Sequence, residues 1–366
     1  MTPETVIWIN ARFLQRPVTG VERVARELLR ELALRLDGQG RMAGPGGGSW
    51  RFRLLGPPDG PGESPWPSLP LVRAGLGGGH VWEQTSLPWL TRGGWLLSLC
   101  NTGPLFKHRQ LLFFHDAQAL ARPENFTWTF RALYQLLYRI AGRSARILAT
   151  NSRFSQRDLV SRAGLDPDKF VIIPLGADHV HRRPAVAPDE AGGSFLVAVS
   201  SPNPNKNSRA VQAALDLLGA QAPPCVWVGR RLERVFQAPG QDGGRIRFLG
   251  RVEDGELYGL YRAALALVYP SFYEGFGLPP VEAMALGCPV IVARAAALPE
   301  VCGDAALYCD PHDPATLAKA IRDLQADPAL GETLRRQGLA RAAHYTWARA
   351  ADALVAALGR ALGAGG

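Results

Sequence analysis

Short apolar runs alternate along the chain with longer stretches in which apolar residues return every three or four positions. This alternation predicts strands joined by amphipathic helices, an α/β architecture with parallel sheets. In the first half, Val6–Ile9, Arg53–Leu55, Trp95–Leu99, Leu111–Phe114, Ile147–Thr150 and Val171–Ile173 read as strands. Val21–Leu36, Trp128–Ala141 and Ser155–Ala163 read as helices. In the second half the strands are Phe195–Val199, Cys225–Val228, Ile246–Leu249, Ala266–Tyr269 and Val290–Val292. Helices intervene at Ser208–Leu218, Asp254–Ala264, Ala315–Gln325 and Leu330–Ala343, and an Ala- and Leu-rich helix, Trp347–Leu362, closes the chain. The near-repetition of β–α units predicts two similar domains facing across a cleft.

Glycine-rich stretches punctuate the first half at Gly38–Ser49, Gly56–Pro70 and Gly75–Gly79 and read as mobile loops. None reads as a phosphate loop, because the strand–turn–helix setting is missing. The polar, proline-rich stretch His179–Gly193 reads as an interdomain linker. The expected division is a first domain over residues 1–180, a second over 194–345 and a terminal helical segment over 346–366.

Composition narrows the class. A chain of 366 residues, 47% hydrophobic and 20% charged, can bury two cores of ordinary size. No apolar run reaches the ~18 residues of a membrane span. The amino terminus lacks the basic-then-apolar pattern of a secretory signal. Five scattered cysteines form no Cys-x-x-Cys and no zinc spacing, so they read as small buried residues in a reducing cytoplasm. The formal charge of +9 favours anionic partners: phosphate, lipid headgroup or nucleic acid. Arginine-rich codon usage accounts for many surface arginines equally well.

The most informative segment is Tyr-Pro-Ser-Phe-Tyr-Glu-Gly-Phe-Gly-Leu-Pro-Pro-Val-Glu, residues 269–282. An apolar strand ends there, a glycine loop follows and a helix begins. Pro279 and Pro280 suit a first helical turn, where a missing N–H costs nothing. Such a loop offers backbone N–H groups and the positive end of a helix dipole to phosphate or hydroxyl oxygens. Glu274 and Glu282 beside it can accept hydrogen bonds from sugar hydroxyls. A nucleotide-activated sugar needs both features together. Read singly, Glu274 is a solvated loop acid and Glu282 an acid complementing the dipole.

The string Glu274-Gly-Phe-Gly-Leu278 with Glu282, two glutamates separated by seven residues, resembles the signature of the family 4 retaining glycosyltransferases of GT-B fold. Gly287-Cys-Pro-Val-Ile, Leu298-Pro-Glu-Val, Asp310-Pro-His-Asp-Pro and Tyr345-Thr-Trp347 are similar to the same family, over about residues 195–350. Ile9-Asn-Ala-Arg-Phe13 with Thr19-Gly-Val-Glu-Arg23 resembles a bacterial branch containing mannosyltransferases of surface-polysaccharide synthesis. The resemblance implies two Rossmann-like domains facing across a cleft, with the last helix packing back on the first domain.

It also implies roles. Glu274 would bind donor-sugar hydroxyls, assisted by the N–H groups of Phe276, Gly277 and Leu278, and Glu282 would bind the ribose. His115, at the end of a strand, would hydrogen-bond the transferred sugar. Gly20, after the N-cap Thr19, would shape the loop near the diphosphate. Lys206 would neutralise the leaving diphosphate. Many relatives add an arginine about six residues earlier, where this chain has Ser200 and Ser201, so Arg230 or Arg231 is expected to compensate. The leaving phosphate would serve as base on the acceptor face. Neither metal nor cofactor is expected, and Asp166-Pro-Asp168 reads as a turn. The implied reaction moves a hexosyl unit, foremost mannose from GDP-mannose, onto a polyprenyl-diphosphate-linked or other bacterial glycan. A UDP-sugar is the alternative donor.

The segment 126–146 mixes aromatics with arginines and reads either as a helix docking at an anionic membrane, which would put the protein at the inner face of the cell membrane, or as an internal amphipathic helix. Two rivals complete the reading. A nicotinamide oxidoreductase lacks its Gly-x-Gly-x-x-Gly after the first strand. A nucleic-acid binder would cluster its bases, which here are dispersed.

Overall fold

The apolar runs pair as strands of two sheets. The structure, a computed structural model, describes residues 4–45, 47–60, 62–187, 194–199, 203–229 and 245–363. The contacts divide these into two units: residues as far as Leu175 together with the helix from Trp347, and Gly176–Thr346.

The first unit contains β1 (Thr5–Asn10), β2 (Arg41–Ala43), β3 (Ser49–Gly56), β4 (Leu71–Arg73), β5 (Trp95–Ser98), β6 (Gln110–Phe113), β7 (Ile147–Thr150) and β8 (Phe170–Ile172). Their order is β2-β3-β1-β5-β6-β7-β8, with β4 paired to β3. Only β2 is antiparallel to its neighbour among these strands. Strands β5, β6 and β7 are buried throughout, as parallel strands covered on both faces must be. The closing helix Trp347–Gly363 belongs here. Trp347, Leu354 and Leu358 are fully buried, and a fully buried leucine contributes about 2 kcal/mol. Arg35, just past the helix Gly20–Ala33, donates to Asp352 (2.6 Å) and to the carbonyl of Ala348 (2.9 Å).

Two loop expectations are corrected. Gly38–Ser49 carries the edge strand β2, and Gly40 (φ +77°) lies so close to β3 that a Cβ would sit 2.5 Å from the Phe52 carbonyl oxygen. Backbone contact at a left-handed residue explains that glycine better than mobility does. Gly56–Pro70 buries Trp66 and Leu69. Beyond Gly75, the helices Gly79–Gln84 and Ser86–Leu90 were not expected; Trp82 anchors the first, donating its indole N–H to the carbonyl of Ala74 at 2.8 Å.

The second unit contains β9 (Leu196–Val199), β10 (Cys225–Val228), β11 (Ile246–Gly250), β12 (Ala266–Tyr269), β13 (Val290–Ala293) and β14 (Leu307–Cys309), in the order β11-β10-β9-β12-β13-β14. All pairings are parallel, as in a doubly wound nucleotide-binding sheet. The stretch expected to be a linker is corrected in its first part, since residues 176–187 are built into this unit. Asp178–His181 forms a tight turn. Val186 donates its N–H to the Gly255 carbonyl at 2.9 Å, and a Cβ on Gly259 would lie 1.6 Å from the Val186 oxygen. Its remainder, 188–193, lies outside the described residues. All five cysteines are free thiols, and four of them are buried.

Candidate functional site

In the second unit the strand order reverses between β9 and β12. Ligands of doubly wound sheets bind outside the carboxyl ends of the strands at this switch point. Two loops meet there, the one before the helix Ser208–Leu218 and the one after β12. Asn207 takes a left-handed conformation (φ +53°), which asparagine tolerates better than most residues. Its amide donates to the carbonyls of Pro270 (3.1 Å) and Pro311 (2.7 Å). Asn205 donates to the carbonyl of Tyr273 and accepts from the Phe272 N–H at 2.9 Å. These bonds fix the glycine loop against the lysine-bearing turn.

Lys206 and Glu274 are thereby brought together. Lys206 Nζ donates to Glu274 Oε1 at 2.7 Å and also to the Tyr269 hydroxyl. The Lys206 side chain is 20% exposed and that of Glu274 14%, so a ligand can reach both. Burial works to lower the Lys206 pKa, but the charge of Glu274 and the contact with Tyr269 outweigh it and hold the ammonium above the ordinary lysine range. Burial, then the charge of Glu274, push the Tyr269 phenol upward, so it stays protonated at neutral pH.

Gly277 caps the helix Leu278–Ala285 with φ +93°, and a Cβ there would stand 2.6 Å from Leu298 Cδ2. Both facts require glycine. Pro279 and Pro280 carry no N–H, so first-turn donors narrow to Leu278 and Val281, preceded by Phe276 and Gly277. Phe276 packs edge-on against Tyr345, with centroids 5.3 Å apart. Glu282, one turn on, is buried, and His179 Nε2 donates to its Oε1 at 2.9 Å. Lys206, Glu274, Phe276, Gly277, Leu278 and Glu282 thus share one end of one sheet. Arg230 and Arg231 lie outside the described residues.

Gly20 and His115 belong to the first unit. Gly20 opens its helix with nothing within 4 Å of an added Cβ. Thr19 is the N-cap, its backbone N–H donating to the Glu22 carboxylate at 3.3 Å. His115 is buried, stacks on Phe113 (centroids 4.6 Å apart) and lies with Nε2 2.8 Å from the Leu99 carbonyl. A carbonyl only accepts, so Nε2 carries the proton and Nδ1 of the neutral ring is an acceptor. Burial pushes the His115 pKa down to about 4. Asp116, after it, closes the next turn by accepting from the Gln118 N–H at 2.9 Å. Asp166 likewise accepts from the Asp168 N–H at 2.9 Å, the turn that the sequence suggested.

Sequence reasoning missed three groups. Tyr269 passed for an ordinary strand residue and His179 for the start of a linker. Glu83, fully buried at the switch point between β1 and β5, accepts from Asn10 (2.7 Å) and Thr102 (3.0 Å) and pairs with Arg12 (3.3 Å) and His80 (3.1 Å). Burial would raise its pKa; the bond from His80 and the charge of Arg12 more than offset that, and hold it below the ordinary value. A lone Glu within a short helix carries no local signal of such a network.

The model of the family described as Glycosyl transferases group 1 matches residues 194–327. The O-antigen chain mannosyltransferase B of Escherichia coli is 32% identical over 261 residues, 65% of this chain and 67% of that protein. The O-antigen chain mannosyltransferase RfbU of Salmonella typhimurium is 28% identical over 234 residues, 62% of this chain and 64% of its own length. Among solved structures, sucrose-phosphate synthase from Thermosynechococcus elongatus superposes with a TM-score of 0.71 at 20% identity, covering 100% of both chains. The match in fold, the paired glutamates on their glycine loop and the relationship to the O-antigen enzyme agree: the chain belongs to the family 4-like group 1 glycosyltransferases of the GT-B fold and is a glycosyltransferase.

Proposed function

We propose that the protein transfers a hexosyl unit, mannose from GDP-mannose, with retention of configuration, onto a lipid-linked or growing bacterial surface glycan. The observation that carries this reading is the Lys206–Glu274 pair, 2.7 Å apart at the switch point and beside the amino end of the helix Leu278–Ala285. An ammonium and backbone N–H groups suit a diphosphate, and a carboxylate suits the hydroxyls of the sugar that leaves it. Donors fixed in advance around the departing diphosphate stabilise the charge that grows there as the glycosidic bond breaks. The leaving phosphate oxygen takes the acceptor's proton, and no metal is required of these residues. His115 Nδ1 accepts from a hydroxyl of the transferred sugar, and Glu282 accepts from the ribose. The choice of mannose rests on the names of the O-antigen relatives and on the segment from Ile9 to Arg23.

A melting panel of nucleotide sugars tests the donor. A bound ligand raises the melting temperature by an amount set by its concentration relative to Kd. GDP-mannose is expected to stabilise the protein and UDP-sugars to leave it unchanged. The reverse result assigns a UDP-sugar donor and overturns the mannose reading.

A peripheral site at the inner membrane face is part of the proposal. Among the described residues no helix is long and apolar enough to cross a membrane. The helix Trp128–Leu136 packs Phe130 and Tyr134 inward, while Trp128 (76%) and Leu136 (44%) are exposed. Arg139, Arg143 and Arg146 follow. Sedimentation with anionic liposomes at low salt checks this docking; protein left in the supernatant rules it out.

A further inference from the structure

One buried group at the Glu274 carboxylate has no task in the donor chemistry above. Tyr269 ends β12, is 2% exposed, and accepts from Lys206 Nζ, which also lies 4.7 Å from its ring centroid. An ammonium has three N–H donors and accepts nothing. Lys206 gives one to the phenol and one to Glu274, which leaves one for a ligand. We infer that Tyr269 is a positioning residue of the donor site, holding Lys206 beside Glu274 rather than across it. The carboxylate then keeps acceptor capacity for sugar hydroxyls, and the ammonium keeps an N–H for the diphosphate. The inference rests on the donor-site reading of Lys206 and Glu274.

The chemistry favours a phenol at this position. Its raised pKa keeps it neutral, so it accepts from Lys206 without setting a second negative charge beside a diphosphate. Its own O–H in turn donates to Glu274. Without the hydroxyl, Glu274 loses that bond and Lys206 keeps Glu274 as its remaining side-chain partner, so the ammonium swings across the carboxylate edge that a sugar needs.

Calorimetric binding of GDP-mannose and GDP to the wild type, Tyr269→Phe, Lys206→Ala, the double variant and Glu274→Gln tests it, with UDP-glucose and UDP as the pair if those stabilise the wild type. Tyr269→Phe is expected to weaken the nucleotide sugar about tenfold and the nucleoside diphosphate less than about threefold. The double variant is expected to match Lys206→Ala alone, because Tyr269 acts through the lysine. Unchanged sugar-nucleotide affinity, an equal loss for both ligands, or additive losses overturn the inference. Should Tyr269→Phe fail to fold, Tyr269→Met fills the slot without a hydroxyl and is held to the same outcomes. Wild-type binding by both Lys206→Ala and Glu274→Gln defeats the donor-site reading itself.

Discussion

His179 Nε2 lies 2.9 Å from Glu282 Oε1, and the two side chains are 3% and 7% exposed. The bond joins residues 103 positions apart and occupies one carboxylate oxygen; the other is the one proposed to meet the donor. A ribose hydroxyl is the partner proposed for it. Glu282→Ala is expected to erase discrimination between GDP and 2′,3′-dideoxy-GDP, which in the wild type is worth roughly tenfold or more, as for a hydrogen bond to a charged group. Competition binding of the two nucleotides measures it, and discrimination that survives the substitution removes the ribose role.

Gly277 holds the glycine loop through a conformation and a clearance that a side chain lacks. Gly277→Ala places a Cβ 2.6 Å from Leu298 and imposes the left-handed penalty of about 1–2 kcal/mol. The loop is expected to shift, and turnover to fall by more than about tenfold. Glucosyl- or mannosyl-transfer rates against a melting curve separate this from unfolding. A variant with wild-type turnover would show that the loop's backbone does not touch the donor.

Glu83 is the hub of the first unit's switch point. Glu83→Ala leaves the Arg12 guanidinium, 5% exposed, without its carboxylate. Breaking a buried pair from one side costs about 3–5 kcal/mol. Urea denaturation is the measurement, and a loss below about 1 kcal/mol would mean that the network is better solvated than its burial indicates.

His115 makes stability depend on acid. Its folded pKa, about 4, lies below the ordinary value of 6.5 because the ring is buried. Between these values the unfolded chain binds a proton that the folded protein refuses, so this contribution is fully present above pH 6.5 and is lost as pH falls towards 4. The expected loss is on the order of 3 kcal/mol. His115→Gln keeps a donor for the Leu99 carbonyl and does not titrate. Its melting temperature is expected to fall less steeply than the wild type's over this window, while equal slopes would show that other groups govern acid stability. The same variant is expected to lower turnover, since an amide N–H₂ replaces little of what Nδ1 accepts.

The β–α alternation was legible because strand and helix periods are written in neighbouring residues. Cys225–Val228, Ala266–Tyr269 and Ser208–Leu218 coincide with elements of the fold. Edge pieces were not: β2 is three residues, mostly exposed, and forms only because β3 offers a partner. Strand β14, Leu307–Cys309, is as short and escaped for the same reason.

The site divides along the same line. The glycine and the paired prolines of residues 274–282 act through local backbone geometry, so the sequence alone specified their loop and the groups it presents. The partners of Glu274 and Glu282 were decided by tertiary structure. Lys206 reaches Glu274 across 68 positions and His179 reaches Glu282 across 103, just as Asn10 reaches Glu83 across 73 in the first unit. Which strand ends become neighbours depends on sheet order, and sheet order follows from burying the whole apolar surface at once. A buried charge must find its counter-group among whatever that packing brings near, which no local pattern records.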